Sequence, residues 1–331
     1  MTPRLTVPLT ADPASTVTLD SLRAAARVLE GVALRTPLRD APDLSARVGV
    51  PVMLKCELLQ PIGAFKIRGA YHALTRLVGR GGAQGVVTAS SGNHGQALAF
   101  AARRFGLRAV VVMPESTPKV KVDGVRRHGG EVVLAGATRS AEQAARAEAI
   151  ALEEGLAIIP PFDHPDVIAG QGTIGLEILE QCPDVRTILV PVSGGGLISG
   201  ISVAVAALAP AVRVVGVEPA GAAKLTAALA AGAPQALGHT ESMADGLLSR
   251  SVGTLTFDLL RQVVREAVTV TEDEIAAAVR YLHHQAGLRA EPSGAVAVAA
   301  LLAGRIRPAG PAVAVVSGGN VDPDLYQRLV G

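Results

Sequence analysis

The stretch Thr187-Ile188-Leu189-Val190-Pro191-Val192-Ser193-Gly194-Gly195-Gly196-Leu197 runs a short apolar segment straight into a serine and three glycines. An apolar strand without polar alternation is buried on both faces, which requires a parallel sheet covered by helices. The glycines then open a helix over Leu197–Leu208, and a second strand follows at Arg213–Val217. Upstream the rhythm repeats: strand Gly85–Ala89 with helix Asn93–Phe105, Ala109–Met113 with Lys119–His128, and Glu131–Leu134 with Ser140–Glu154. A proline break at Pro160-Pro161-Phe162-Asp163 precedes a helix over Val167–Gln181. At the start, Thr18 and Asp20 introduce a helix over Leu22–Ala33 that Arg35-Thr36-Pro37-Leu38 stops, and Val52–Leu59 reads as a strand. Toward the end, Thr271-Glu272-Asp273-Glu274 is a capping box for an alanine-rich helix; Ala312–Val316 is a last strand, and Asp324–Val330 a tail helix. The expected fold class is α/β, two-domain, with open parallel-type twisted sheets covered by helices. A small βα domain is expected at 85–160, with a large domain built from 1–84 and 161–331.

The 331 residues suffice for two domains, and 49% apolar residues furnish a sizeable core. No apolar run reaches the roughly 18 residues of a membrane-spanning helix. Met1 to Val17 mixes proline, threonine, arginine and aspartate without an apolar centre, so it reads as a loose arm and not a secretory signal. Thirty-one basic and 29 acidic residues are interspersed, and aromatics make up 2%. That leaves neither a basic stripe nor stacking platforms, which argues against nucleic acid as a partner. Cys56 and Cys182 stand far apart without metal-ligand spacing. They are expected to be small buried apolar residues in a reducing, cytoplasmic setting.

Three tight polar loops follow strands, where backbone amides and helix N-termini converge on ligands. They are Ser193 to Leu197, Ser317-Gly318-Gly319-Asn320, and Ser90-Ser91-Gly92-Asn93-His94-Gly95-Gln96. The first presents consecutive N–H groups suited to a phosphate. Taken alone it also fits a nicotinamide dehydrogenase, because Gly194, Gly196 and Gly200 form a GxGxxxG with Glu218 about 20 residues on. A fourth stretch, Gly63-Ala64-Phe65-Lys66-Ile67-Arg68-Gly69-Ala70, brackets one lysine with small residues at a strand-to-helix junction. In a partly dry pocket its amine would be a nucleophile of lowered pKa; the alternative is a lysine snorkelling from a helix start. The dehydrogenase reading leaves Lys66 and the other two loops without a role.

Several motifs in fixed order resemble the fold-type II pyridoxal-phosphate enzymes, within them the threonine/serine dehydratase and serine racemase group. They are Lys55-Cys56-Glu57-Leu58-Leu59-Gln60-Pro61, the lysine stretch, Ser90 to Gln96, Ala169-Gly170-Gln171-Gly172-Thr173, the glycine cup, Ala244-Asp245-Gly246-Leu247, Glu291-Pro292-Ser293-Gly294 and Ser317 to Asn320. The resemblance implies pyridoxal 5'-phosphate as cofactor, held as a Schiff base by Lys66 with Phe65 packing by the ring. It places Asn93 at the ring hydroxyl, Ser193, Gly194, Gly195, Gly196 and Leu197 at the phosphate, Ser317 at the pyridine nitrogen, and Gly246 and Glu291 in the cofactor site. Ser90, Ser91, Asn93 and His94 are implied to cradle the substrate carboxylate at a helix start. His94 is expected to act through its backbone amide, and Ser91, opposite Lys66, to return a proton to the α-carbon.

A neutral hydroxyl at Ser317 holds a protonated ring less firmly than a carboxylate does, which favours prompt loss of a β-substituent over transamination. The activity implied is β-elimination from L-threonine and L-serine, with Lys66 taking the α-proton. Serine racemase or 3-hydroxyaspartate dehydratase are alternatives in the same group, and a non-catalytic binding protein is a further one. A homodimer or higher homo-oligomer is usual for the family. No residues follow Gly331, so an appended regulatory domain is not expected. Related racemases hold a divalent cation with a glutamate that matches Glu218, a carbonyl near Ala222, and an aspartate where Lys224 stands here. The expectation is therefore a Glu218–Lys224 pair and no metal. His283 and His284 read as surface or interface residues.

Overall fold

Among the described residues of this computed structural model, 17–90, 92–137 and 141–331, ten strands form two sheets. Ser91, the expected helix start at Ser140, and all but the last residue of the expected N-terminal arm lie outside them. The strands are β1 Leu38–Asp40, β2 Val52–Cys56, β3 Gly85–Ala89, β4 Arg108–Met113, β5 Glu131–Leu134, β6 Ala157–Ile158, β7 Thr187–Pro191, β8 Arg213–Pro219, β9 Glu266–Val270 and β10 Ala312–Val316. The smaller sheet has the order β5-β4-β3-β6 and is parallel throughout. The larger has the order β1-β2-β10-β7-β8-β9, parallel except where β1 joins β2. It takes two strands from before residue 85 and four from after residue 160.

Every residue of β7 and β10 is buried, as unalternating apolar strands require. Beneath them lies the helix Pro292–Leu302, buried at ten of its eleven positions. A helix apolar all round lives inside a core, and this one packs against β10, β7, β8 and β9.

Local boundaries depart from expectation where polar side chains decide them. The first helix occupies Leu19–Leu29, starting three residues before Leu22, because Thr18 and Ser21 form a reciprocal capping box. It stops four residues short of Ala33. The strand from Val52 ends at Cys56, and Glu57–Leu59 turns into a 3₁₀ segment. A proline stop alone was expected before Leu38, yet three residues there form the edge strand β1. The Thr271 capping box forms as expected, with Thr271 Oγ1 accepting from Glu274 N and Glu274 Oε2 from Thr271 N.

A buried ionic cluster pins the segment that carries Lys66. Arg68 donates Nε to Glu57 Oε2 (2.8 Å) and Nη2 to Glu57 Oε1 (2.8 Å), and its Nη1 reaches Glu177 Oε1 (2.6 Å). Lys55 Nζ donates to Glu177 Oε2 (2.5 Å), to Gln181 Oε1 (2.9 Å) and to the Thr36 carbonyl (2.8 Å). Burial alone would raise the Glu57 carboxyl, but the Arg68 guanidinium outweighs it and holds the group below the ordinary carboxylate range.

Candidate active site

Parallel pairing sets the site. β10 runs beside β2 in the register Val316 to Cys56 and beside β7 in the register Ala314 to Leu189, so the loops leaving their carboxyl ends lie side by side. Three bonds stitch two of those loops: Phe65 N to the Ser317 carbonyl (3.1 Å), Gly319 N to the Gly63 carbonyl (2.9 Å), and Asn320 Nδ2 to the Ile62 carbonyl (2.8 Å). Gly63 adopts φ +73°, and a Cβ there would stand 2.5 Å from Asn320 Oδ1, so only glycine permits this approach. Lys66 is thereby the first residue of the helix Lys66–Gly79 and sits beside Ser317.

A cavity of about 260 Å³ gathers Phe65, Lys66, Ser90, Asn93, His94, the whole Ser193 to Leu197 cup, Gly246, Glu291 and Ser317. Every described residue placed at the site from sequence thus lines one space. Lys66 Nζ donates to the Pro161 carbonyl (2.5 Å) and faces no carboxylate partner among the described residues. Removal from bulk water pushes its amine down to about 8, which brings the free base within reach near neutral pH.

The cup belongs to the helix Gly196–Leu208, whose first-turn amides have no helical acceptor and point into the cavity. A Cβ at Gly194 would stand 2.3 Å from the Phe162 ring. At Gly195, where φ is +96°, it would stand 2.9 Å from Thr256 Oγ1. The Gly194 carbonyl is turned away from the cavity by Gly253 N (3.0 Å) and Thr256 Oγ1 (2.8 Å). What remains is a rim of N–H donors for an anion. Ser193 Oγ, expected as a further donor there, gives its proton to Ser249 Oγ (3.1 Å).

Across the cavity the helix Asn93–Arg104 starts from the third loop. Asn93 is clamped: its Nδ2 donates to Glu291 Oε1 (2.6 Å), and its Oδ1 accepts from Asn320 Nδ2 (2.8 Å). Burial raises the Glu291 carboxyl to about 7. Ser90 Oγ accepts from Gly95 N (3.3 Å) and Gly92 N (3.4 Å), so its own O–H is what it can offer a ligand. His94 donates Nε2–H to the Ile159 carbonyl (3.0 Å), and burial holds the ring neutral with a pKa of about 3. A ring so placed is no proton carrier.

Sequence reasoning missed Pro161 and Phe162, which it took for punctuation, and Asn320 and Ser293 as anchors. Ser293 Oγ accepts from Gly246 N (2.8 Å) and fixes the Ala244 to Leu247 turn. Asp163, in the same passed-over segment, caps the helix Thr254–Leu260 through Thr254 N and Thr256 N. The proline pair beside an aromatic residue was the available signal.

The Glu218–Lys224 expectation has a direct geometric counterpart. Lys224 is fully buried, donates Nζ to the carbonyls of Ala222 and Leu247 (both 2.8 Å), and lies 3.5 Å from Glu218 Oε1. Glu218 also accepts from the amides of Leu225 and Thr226. His283 and His284 are exposed and pack on the tail helix Pro323–Val330, where His284 Nε2 meets the Val330 carbonyl (3.0 Å).

Among the described residues, no helix is long and apolar enough to cross a membrane, and no group of three or more histidine, cysteine, aspartate or glutamate side chains could hold a metal.

Residues 29–318 match the family described as pyridoxal-phosphate dependent enzyme. The chain is 42% identical over 317 residues to the L-threonine ammonia-lyase of Thermotoga maritima, covering 95% of this chain and 78% of that one. It is 46% identical over 298 residues to the L-threonine ammonia-lyase of Geobacter sulfurreducens, covering 89% and 74%. Its fold superposes on maize serine racemase with a TM-score of 0.90 at 36% identity, covering 95% and 97% of the two chains.

Proposed function

Given that the chain belongs to the pyridoxal-phosphate dependent enzyme family, we propose that it is a threonine/serine dehydratase, forming 2-oxobutanoate or pyruvate and ammonia. The observation that carries this reading is the meeting, in one cavity, of the Lys66 amine, the amide cup and a neutral Ser317. These residues fit the cofactor. The cup is free of side chains because a Cβ at Gly194 would strike the Phe162 ring, which leaves its amides to a phosphate. Lys66 supplies a free amine, and Ser317 a hydroxyl where a carboxylate would otherwise hold a protonated ring.

Bound pyridoxal phosphate supplies an aldehyde for amine condensation and a conjugated ring that accepts charge from the α-carbon. The protein does the rest. Phe65 would pack by the ring, and Asn93, fixed by Glu291 and Asn320, would hold its hydroxyl. Gly246, held by Ser293, lines the same cavity. Ser90, Asn93 and His94 hold the substrate carboxylate at the start of the Asn93 helix, where amides and dipole favour an anion. In this reading Ser91 also serves the substrate, returning a proton to the α-carbon. Lys66, as free base, removes the α-proton; the β-hydroxyl then takes a proton from the Lys66 ammonium and leaves as water, and the released enamine is hydrolysed to the oxo acid and ammonia. We assign residues 85–160 to a small domain and 1–84 with 161–331 to a large one, and place the protein in the cytoplasm as a homodimer or higher homo-oligomer.

The Lys224 ammonium, bonded to the two carbonyls and beside Glu218, takes the place of a divalent cation in this reading. A panel of L- and D-threonine, L- and D-serine and 3-hydroxyaspartate, scored for oxo acid and for inversion before and after exhaustive chelation, tests both points. The expected result is oxo acid from L-threonine and L-serine, unchanged by chelation. Inversion without oxo acid would replace the dehydratase reading with a racemase, and activity that returns only with magnesium would overturn the role of Lys224.

A further inference from the structure

One charged side chain at the cavity has no role in the chemistry above. Lys121, on the helix Lys119–Arg127 that packs against the smaller sheet, lines the cavity beside Ser90, Gly92 and Asn93. Its side chain is 7% exposed, an unusual state for an ammonium group. Among the described residues its hydrogen-bond partner is Asp245 Oδ2, which comes from the opposite wall, in the turn Asp245–Leu247 beside the larger sheet. An ammonium has three donors, and this bond uses one. Asp245 is 40% exposed, so its end of the pair meets water, while the Lys121 field reaches the cavity side, where the buried Glu291 carboxyl feels it too.

Where that field points is set by Gly92. A Cβ on Gly92 would have Lys121 Nζ as its near neighbour, at 3.9 Å. Gly92 is the N-cap of the Asn93 helix, and the first helical residues Asn93 and His94, whose amides have no acceptor within the helix, line the cavity with it. A buried cation and a helix N-terminus therefore face the same volume, and both favour an anion there.

We propose that Lys121 is a substrate-binding residue that completes the carboxylate site of the Asn93 loop, held in place by Asp245 across the cavity. Identifying the anion as an α-amino carboxylate rests on the dehydratase reading. The ligand carboxylate accepts one of the remaining Lys121 donors, so binding adds a third partner to a contact that already joins the two walls. The small-sheet helix and the Asp245 turn are then tied more firmly when substrate is present. Nothing local in the sequence marks this residue, since its partner is 124 positions away.

The experiment compares L-alanine, which has no β-hydroxyl to eliminate, with L-alanine amide, which keeps the amine and lacks the negative charge. Binding of each to the cofactor-loaded protein is measured by equilibrium titration, and KM and kcat are measured for threonine. In Lys121→Met the preference for carboxylate over amide is expected to fall about tenfold or more, the scale of one charge-assisted hydrogen bond, with the loss in KM and not kcat. Lys121→Arg, which keeps the charge, is expected to restore most of the preference. Equal weakening of both ligands in Lys121→Met, or an unchanged preference, overturns the proposal, as does a preference that Lys121→Arg fails to restore. Because binding is read directly, the outcome stands apart from the dehydratase assignment, which fails only if the wild-type protein makes no oxo acid.

Discussion

Lys66→Ala is expected to abolish both oxo-acid formation and the absorbance band at about 410 nm that pyridoxal phosphate gives when joined to an enzyme amine. The rate should fall by at least about 10³-fold, since proton transfer by a positioned group alone contributes roughly 10²–10⁴-fold. The chain offers no substitute at the same place. His94 is neutral and committed to the Ile159 carbonyl, Glu291 is bonded to Asn93, and Lys121 lies on the substrate-carboxylate side, at the Asn93 helix start, paired with Asp245. The cup should survive the substitution, because its shape comes from Gly194, Gly195, Phe162 and Thr256 and not from Lys66. The variant should therefore still bind pyridoxal phosphate, reversibly and with the spectrum of the free aldehyde. Stopped-time oxo-acid assays and absorbance before and after dialysis check this; a variant that keeps the band and more than about a tenth of the rate would remove Lys66 from the chemistry.

Glu57→Gln should cost about 3–5 kcal/mol of stability, the range for removing one partner of a buried pair. The substitution keeps the shape and loses the charge. Arg68 and Lys55 would then share the single carboxylate of Glu177, with both cations buried. Arg68 stands two residues after Lys66 on the same helix, so the start of that helix should loosen along with the cluster. Because the folded Glu57 carboxyl titrates below its ordinary value, its contribution is present above about pH 4.5 and is lost as pH falls toward the folded value. Chemical denaturation of wild type and Glu57→Gln at pH 7 measures the cost, and a difference below about 1 kcal/mol would mean the cluster adds little. Glu57→Gln combined with Arg68→Met should be less damaging than the sum of the two, since the second change removes the cation the first one stranded.

How much of this was readable in the sequence follows from what each residue touches. β7 and β10 were legible because a strand buried on both faces must be apolar at every position, and the glycines after β7 because their neighbours leave no room for a Cβ. The Thr271 capping box is a contact over three residues and equally plain. The edge strands of the larger sheet were hidden: β1 is three residues with two exposed polar side chains, and β9 is half-buried along most of its length. The helix Pro292–Leu302 carries no 3.6-residue period because it is buried all round. At the site, Lys66 and the three loops declared themselves through composition at strand ends. Pro161, the Asn320 anchor and the Lys121–Asp245 contact did not, because each is made by chain segments 95 to 258 residues apart.

The central claim is that one amine of this chain, and no other, carries the cofactor. Lysine occurs only at positions 55, 66, 119, 121 and 224, which makes the claim unusually easy to test. Basicity alone does not choose among them, since burial brings Lys224 to about 8 as it does Lys66. Position does: Lys224 is sealed among carbonyls and Glu218, while Lys66 opens on the cavity beside the cup. Borohydride reduction of the protein loaded with pyridoxal phosphate, followed by peptide mapping, reads the attachment directly. A single pyridoxyl group on Lys66 is expected; a group on Lys55, Lys119, Lys121 or Lys224, or none on any lysine, would contradict it.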